Sequence, residues 1–195
     1  MLPNCRNAAS LALGCFALLF TTACSNSLFK VKPASALPPM PASSASMNVG
    51  MITFRASPLL TDEQTQELFE SNLQLAGLLP VRLEMVHNGG EAIETKKLRL
   101  RLSDASGTEW KLISAKKAIS RIMDANGIRF YNPNARKTFE KEFRAYEFDL
   151  KTPFANSERQ GLIIFRSPHK EPVASPKGLV LSIDGLAQPV SLNLN

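Results

Sequence analysis

Lys97-Leu98-Arg99-Leu100-Arg101-Leu102 is the stretch whose reading decides the fold. Its leucines fall at every second position, with bases between them. A period of two puts the leucines on one face of an extended chain, as a half-buried antiparallel strand requires. Asp104-Ala105-Ser106-Gly107 follows as a run of turn formers, and residues 108–113 return with Trp110. Residues 97–113 therefore predict a hairpin, with Trp110 as a core residue.

The same alternation recurs outward from this hairpin. Ile52-Thr53-Phe54-Arg55 and Val81-Arg82-Leu83-Glu84-Met85-Val86 have it, the second ending at an Asn88-Gly89-Gly90 turn. Gly161-Leu162-Ile163-Ile164-Phe165 and Gly178-Leu179-Val180-Leu181-Ser182-Ile183 are strand-length apolar runs, and Val190-Ser191-Leu192-Asn193-Leu194 alternates again. Helix signals lie between. Thr61 and Gln64 have capping-box spacing and open a helix expected to bury Leu68, Phe69, Leu73 and Leu75 before ending near Gly77. Ser114 can cap a helix with the stripe Ala115, Ala118, Ile119, Ile122 and Met123, stopping at Asn126-Gly127. Phe139, Phe143 and Tyr146 form an aromatic stripe on a third helix starting near Pro133, more simply core than a ligand platform. Seven or so short strands with turns between them predict a mainly β fold, an antiparallel sandwich with two or three short helices inserted.

A resemblance refines this. Leu79-Pro80-Val81-Arg82-Leu83-Glu84, then Asn88, then Asp104-Ala105-Ser106-Gly107, then Glu158-Arg159-Gln160-Gly161-Leu162-Ile163-Ile164-Phe165 and a closing strand resemble the immunoglobulin-like domains of bacterial envelope lipoproteins over residues 79–195. It implies an immunoglobulin-like β-sandwich serving as a binding or assembly module, with no catalytic residues to carry over.

The N-terminus carries the second resemblance. Arg6 precedes an apolar run, Leu11-Ala-Leu-Gly-Cys-Phe-Ala-Leu-Leu-Phe20, far short of the ~20 residues of a spanning helix. Phe20-Thr21-Thr22-Ala23-Cys24 follows. This resembles a bacterial lipoprotein signal, which implies cleavage before Cys24 and lipidation of that cysteine. An ordinary secretory signal cut after Ala23 is the alternative, since small residues suit that cut too. The chain has three cysteines, and Cys5 and Cys15 would leave with the signal. A lipidated Cys24 leaves no thiol for a disulfide or a metal. Ser25 stands where an Asp tends to hold such lipoproteins in the inner membrane, so the resemblance implies the outer membrane, with the domain facing the periplasm. Residues 25–50 are rich in Pro, Ser and Ala and lack an apolar period, which reads as a linker. The expected organisation is a signal peptide over 1–23, a lipid anchor and flexible tether over 24–50, and the β-sandwich over 51–195.

Charge and motifs bound the function. The formal charge is +6, falling to +5 once Arg6 leaves. Nucleic acid is not an expected partner of an exported lipoprotein. No Gly-x-Ser-x-Gly elbow or phosphate-binding glycine loop is present. His87 and His169 each adjoin turn residues and read as solvated. A metal site with Glu91 or Glu171 would need them to meet in space, and neither has ligand spacing. Glu140-Lys141-Glu142 reads as a solvated helix face. Lys97, Arg99 and Arg101 share one strand face, Lys116, Lys117 and Arg121 one helix face, and Arg136, Lys137, Lys141 and Arg144 the next. If adjacent, these form a cationic surface; otherwise they keep the sheet soluble. The expected function is a non-enzymatic, membrane-anchored module with an envelope protein partner and no cofactor. The alternative is a carrier of lipid or a small apolar ligand.

Overall fold

The computed structural model describes residues 30–195. The signal peptide and Cys24 lie outside the described residues. The strands are β1 (Ala45–Val49), β2 (Ile52–Pro58), β3 (Leu78–His87), β4 (Arg99–Ser103), β5 (Glu109–Ile113), β6 (Glu158–Arg166), β7 (Val180–Asp184) and β8 (Val190–Asn193). The helices are α1 (Asp62–Phe69), α2 (Ala115–Ala125) and α3 (Pro133–Arg144).

The fold is mainly β, and every pairing between named strands is antiparallel. The eight strands form one sheet in the order β1-β2-β3-β6-β5-β4-β7-β8. Its two ends, β1 and β8, come into contact, so the sheet nearly closes into a barrel. One curled sheet stands where a sandwich has two facing ones. β5 makes the continuity: it pairs with β4 only at Trp110 and Glu109, then leaves to pair with β6 through Lys111–Ile113.

Two cores follow from the alternation. Inside the barrel, Phe54, Leu83, Met85, Leu102, Phe165, Leu181 and Ile183 are fully buried. The leucines of the 98–102 stretch point there too, while Arg99 and Arg101 face solvent. Leu162 and Ile164, on the other face of β6, meet the three helices in a second core. β6 is covered on both faces, which is why its sequence is an unbroken apolar run. Phe69, Phe139, Phe143 and Tyr146 fill the helical layer, with the Phe69 ring 5.0 Å from both Phe143 and Tyr146. The aromatic stripe is core, as its spacing suggests.

The helix signals resolve individually. Thr61 caps α1, and Gln64 reaches back to complete the capping box. The helix stops earlier than expected, at Phe69, because Glu70 takes a left-handed conformation. Residues 71–77 then form a hydrogen-bonded turn in which Leu73 is buried but Leu75 is 47% exposed. Ser114 gives α2 no side-chain cap; the Glu147 carboxylate accepts the Ala115 N–H instead, at 3.0 Å.

The flexible tether expected before residue 51 is corrected over its described part. Residues 45–49 form β1, paired along its whole length with β2. Lys32 N donates to Leu68 O at 2.9 Å, and the Tyr146 hydroxyl donates to the Lys32 and Pro33 carbonyls at 2.9 and 3.1 Å. Val31, Ala34 and Leu37 pack on the helical core. Buried Arg82 donates to Pro39 O at 3.1 Å and Pro38 O at 2.5 Å, and Arg55 to Pro41 O at 3.2 Å. The prolines read as linker because they lack N–H groups, but their carbonyls are free acceptors, and the two arginines supply the donors. This strap belongs to the domain.

Candidate functional site

Sequence reasoning singled out Cys24 for lipidation, and that residue lies outside the described ones. The two histidines are not brought together. His87 ends β3, while His169 follows β6, whose Arg166 is paired with Leu78 at the start of β3. Some nine residues of strand, about 30 Å, separate those ends. His169 is exposed. His87 is not the solvated turn residue expected: it is 5% exposed, its Nδ1 accepts the Asn156 N–H at 3.0 Å, and its ring lies 6.0 Å from Phe154. It is a structural polar group in a satisfied position. Among the described residues, no group of three or more His, Cys, Asp or Glu is placed to hold a metal ion. No described helix is long and apolar enough to cross a membrane.

The basic faces divide. α2 packs on α3, so their bases share one side of the molecule, whereas β4 lies in the other half of the barrel beside β7. Several bases have local structural work. Arg121 donates twice to Ala76 O, at 3.0 and 2.8 Å, and once to Lys170 O, tying α2 to the loops behind it. Arg136 and Arg144 flank Glu140, at 2.9 and 3.9 Å, and Arg101 pairs with Asp184 at 2.6 Å. Such exposed pairs are worth at most about 1 kcal/mol each. Trp110 is a barrel-core residue whose indole N–H donates to Asp104 at 3.1 Å. The Ser106 hydroxyl, and then the Trp110 and backbone donors, hold the Asp104 carboxyl below its ordinary range. That acid is committed to its turn.

One feature with room for a partner is a groove of about 450 Å³ that sequence reasoning missed. It opens where β5 has left β4 and residues 147–151 come in beside β6. Phe148 N donates to Leu162 O at 2.9 Å, and Leu162 N donates back to Tyr146 O at 2.6 Å, so this segment takes over the β6 edge that β5 vacates. Gly161 permits the approach: a Cβ there would lie 2.7 Å from Phe148 Cα. Leu112, Leu150, Ile163 and Ile164 give the groove apolar walls, and Leu112 is 38% exposed. Arg144, Glu147, Asp149 and Lys151 stand among its lining residues. Both acids are engaged in structure. Glu147 caps α2, and Asp149 accepts the Lys151 and Thr152 N–H groups at 2.7 and 3.3 Å. Hydrogen bonds from Thr152 first, then Lys151, keep the Asp149 carboxyl below its ordinary range. The groove thus combines apolar walls with two acids that are already hydrogen-bonded within the fold. Nothing in the sequence signals it: Leu112 is in phase with buried Trp110 in Trp110-Lys111-Leu112-Ile113, yet it is Leu112 that is exposed and Ile113 that is buried.

No family model matches the chain, and no curated protein matches it. Among solved structures, it is similar to a DUF4426 family protein from Pseudomonas aeruginosa PAO1, at 11% identity and a TM-score of 0.32, over 76% of this chain and 90% of that one.

Proposed function

We propose that this protein is a membrane-anchored envelope lipoprotein that acts as a non-enzymatic binding or assembly module, with the groove beside Leu112 as its contact surface. Lipidated Cys24 would hold it to a bacterial membrane, the outer one by the Ser25 reading, with the domain in the periplasm. The observation that carries the binding role is the groove: exposed apolar surface maintained by a dedicated segment, residues 147–151, whose own acids are tied into the fold. Exposed apolar surface rimmed by polar groups is typical of interaction sites. The immunoglobulin-like part of the reading rests on the sequence resemblance over residues 79–195, although the strands curl into one sheet. Carriage of an apolar ligand, the alternative, would use a surface groove such as this one, because large side chains fill the barrel interior.

In-cell cross-linking of the anchored protein, followed by mass spectrometry, tests this. One dominant envelope protein should be captured by the native chain and lost in Leu112→Glu. That variant alters an exposed position and should change stability by less than about 0.5 kcal/mol. Capture of lipid alone would favour the carrier. Capture unaffected by Leu112→Glu would remove the groove from the function.

A further inference from the structure

The docked strap leaves little chain between the anchor residue and the folded domain. Lys30 N donates to Glu70 at 2.7 Å and Lys32 N to Leu68 O at 2.9 Å, both at the C-terminal end of α1. Only five residues lie between Cys24 and Lys30 in the sequence. Whatever their conformation, the six steps from Cys24 to Lys30 reach no more than about 22 Å, and the eight steps to Lys32 no more than about 29 Å. A compact domain of this size is roughly 40 Å across. A free tether running to residue 50 would instead extend to roughly 80 Å and let the domain present any face. The docked one cannot.

We propose that, with Cys24 in a bilayer, the strap holds the α1–α3 side of the domain against that membrane and keeps the β7–β8 wall turned away from it. This rests on the lipid-anchor reading. β6, beneath the helical layer, and β8 are four strands apart in an eight-stranded, nearly closed sheet, so they form opposite walls. The groove falls on the near side, because Glu147 and Phe148 follow directly on Tyr146, which is bonded to the strap. The constraint is one of chain length: around the chain entry Lys32 is paired with Glu67 at 3.0 Å and the Lys30 backbone N–H donates to Glu70, while the bases of α2 and α3 on the same side add an attraction to anionic lipid. Salt should weaken that attraction but leave the length limit in place.

The test uses the full lipidated protein in phosphatidylglycerol-containing vesicles carrying a headgroup acceptor dye. Single cysteines replace exposed Gln66 on α1 or exposed Ser191 on β8 and carry the donor. Energy transfer should be several-fold stronger from position 66 than from 191, at low and high salt alike. A Gly/Ser insertion of roughly 20 residues after Asn26 should bring the two values together. Equal transfer from both positions at native spacing overturns the proposal, as does an insertion that leaves their ratio unchanged. Failure of the anchor reading shows separately: a chain without engineered cysteines would then take up thiol dye at Cys24.

Discussion

Replacing Arg82 with alanine asks whether residues 30–50 are held or free. The guanidinium is 2% exposed and makes two charge-assisted hydrogen bonds to the Pro38 and Pro39 carbonyls. At about 1.5–3 kcal/mol each, these contribute roughly 3–6 kcal/mol. Against that stands the buried Arg82 Nε, which has no partner and whose desolvation costs about 1–3 kcal/mol. The net loss should be about 2–3 kcal/mol. Glu84 keeps its ion pair with Arg55, 2.9 Å away, so no buried carboxylate is orphaned. Hydrogen exchange is the assay. The Leu37 and Ser44 amides flank the clamp and donate to Ala34 O and Pro41 O. Their exchange should quicken roughly thirty- to hundredfold in the variant, while β6 amides hold. Unprotected amides in the native protein, or rates unchanged by Arg82→Ala, would refute the docked strap.

Phe143→Ala should cost about 3–5 kcal/mol, since the side chain is 1% exposed and its ring meets both Phe69 and Phe139; thermal unfolding should show a Tm lower by roughly 10 °C. Gly161→Ala should destabilise by about 1–3 kcal/mol and, with Phe148 pushed off β6, abolish capture of the groove's partner, as denaturant midpoints and cross-linking would reveal. Burial first, and the Glu142 carboxylate second, raise the Tyr146 hydroxyl above its ordinary range. The raised folded value means its contribution is full below the unfolded tyrosine pKa of about 10 and is lost as pH rises through the folded one. Tyr146→Phe should therefore be less stable at neutral pH by about 0.5–1.5 kcal/mol and lose part of the alkaline fall in stability, seen in urea titrations across that range.

Much of the strand layout was legible because a period of two is a local signal. The alternation at 97–102 and 81–86 places the strands β4 and β3, and the Thr61/Gln64 pair places the start of α1. The groove was not legible: Leu112 looks like any strand leucine until β5 is seen to change partners. His87 misled because its turn context hides a burial that comes from Asn156 and Phe154, some 70 residues on.

By itself the sequence determined a mainly β, antiparallel chain with two or three short helices and an N-terminus resembling a lipoprotein signal, because side-chain periodicity and capping act over a few residues. Only the tertiary structure decided that the strands curl into one nearly closed sheet, that Glu147 rather than Ser114 caps α2, and that a proline-rich linker is a docked strap. Those outcomes depend on donors and acceptors brought together from distant positions, above all Arg82 and the Pro38 and Pro39 carbonyls, and no local pattern encodes such meetings.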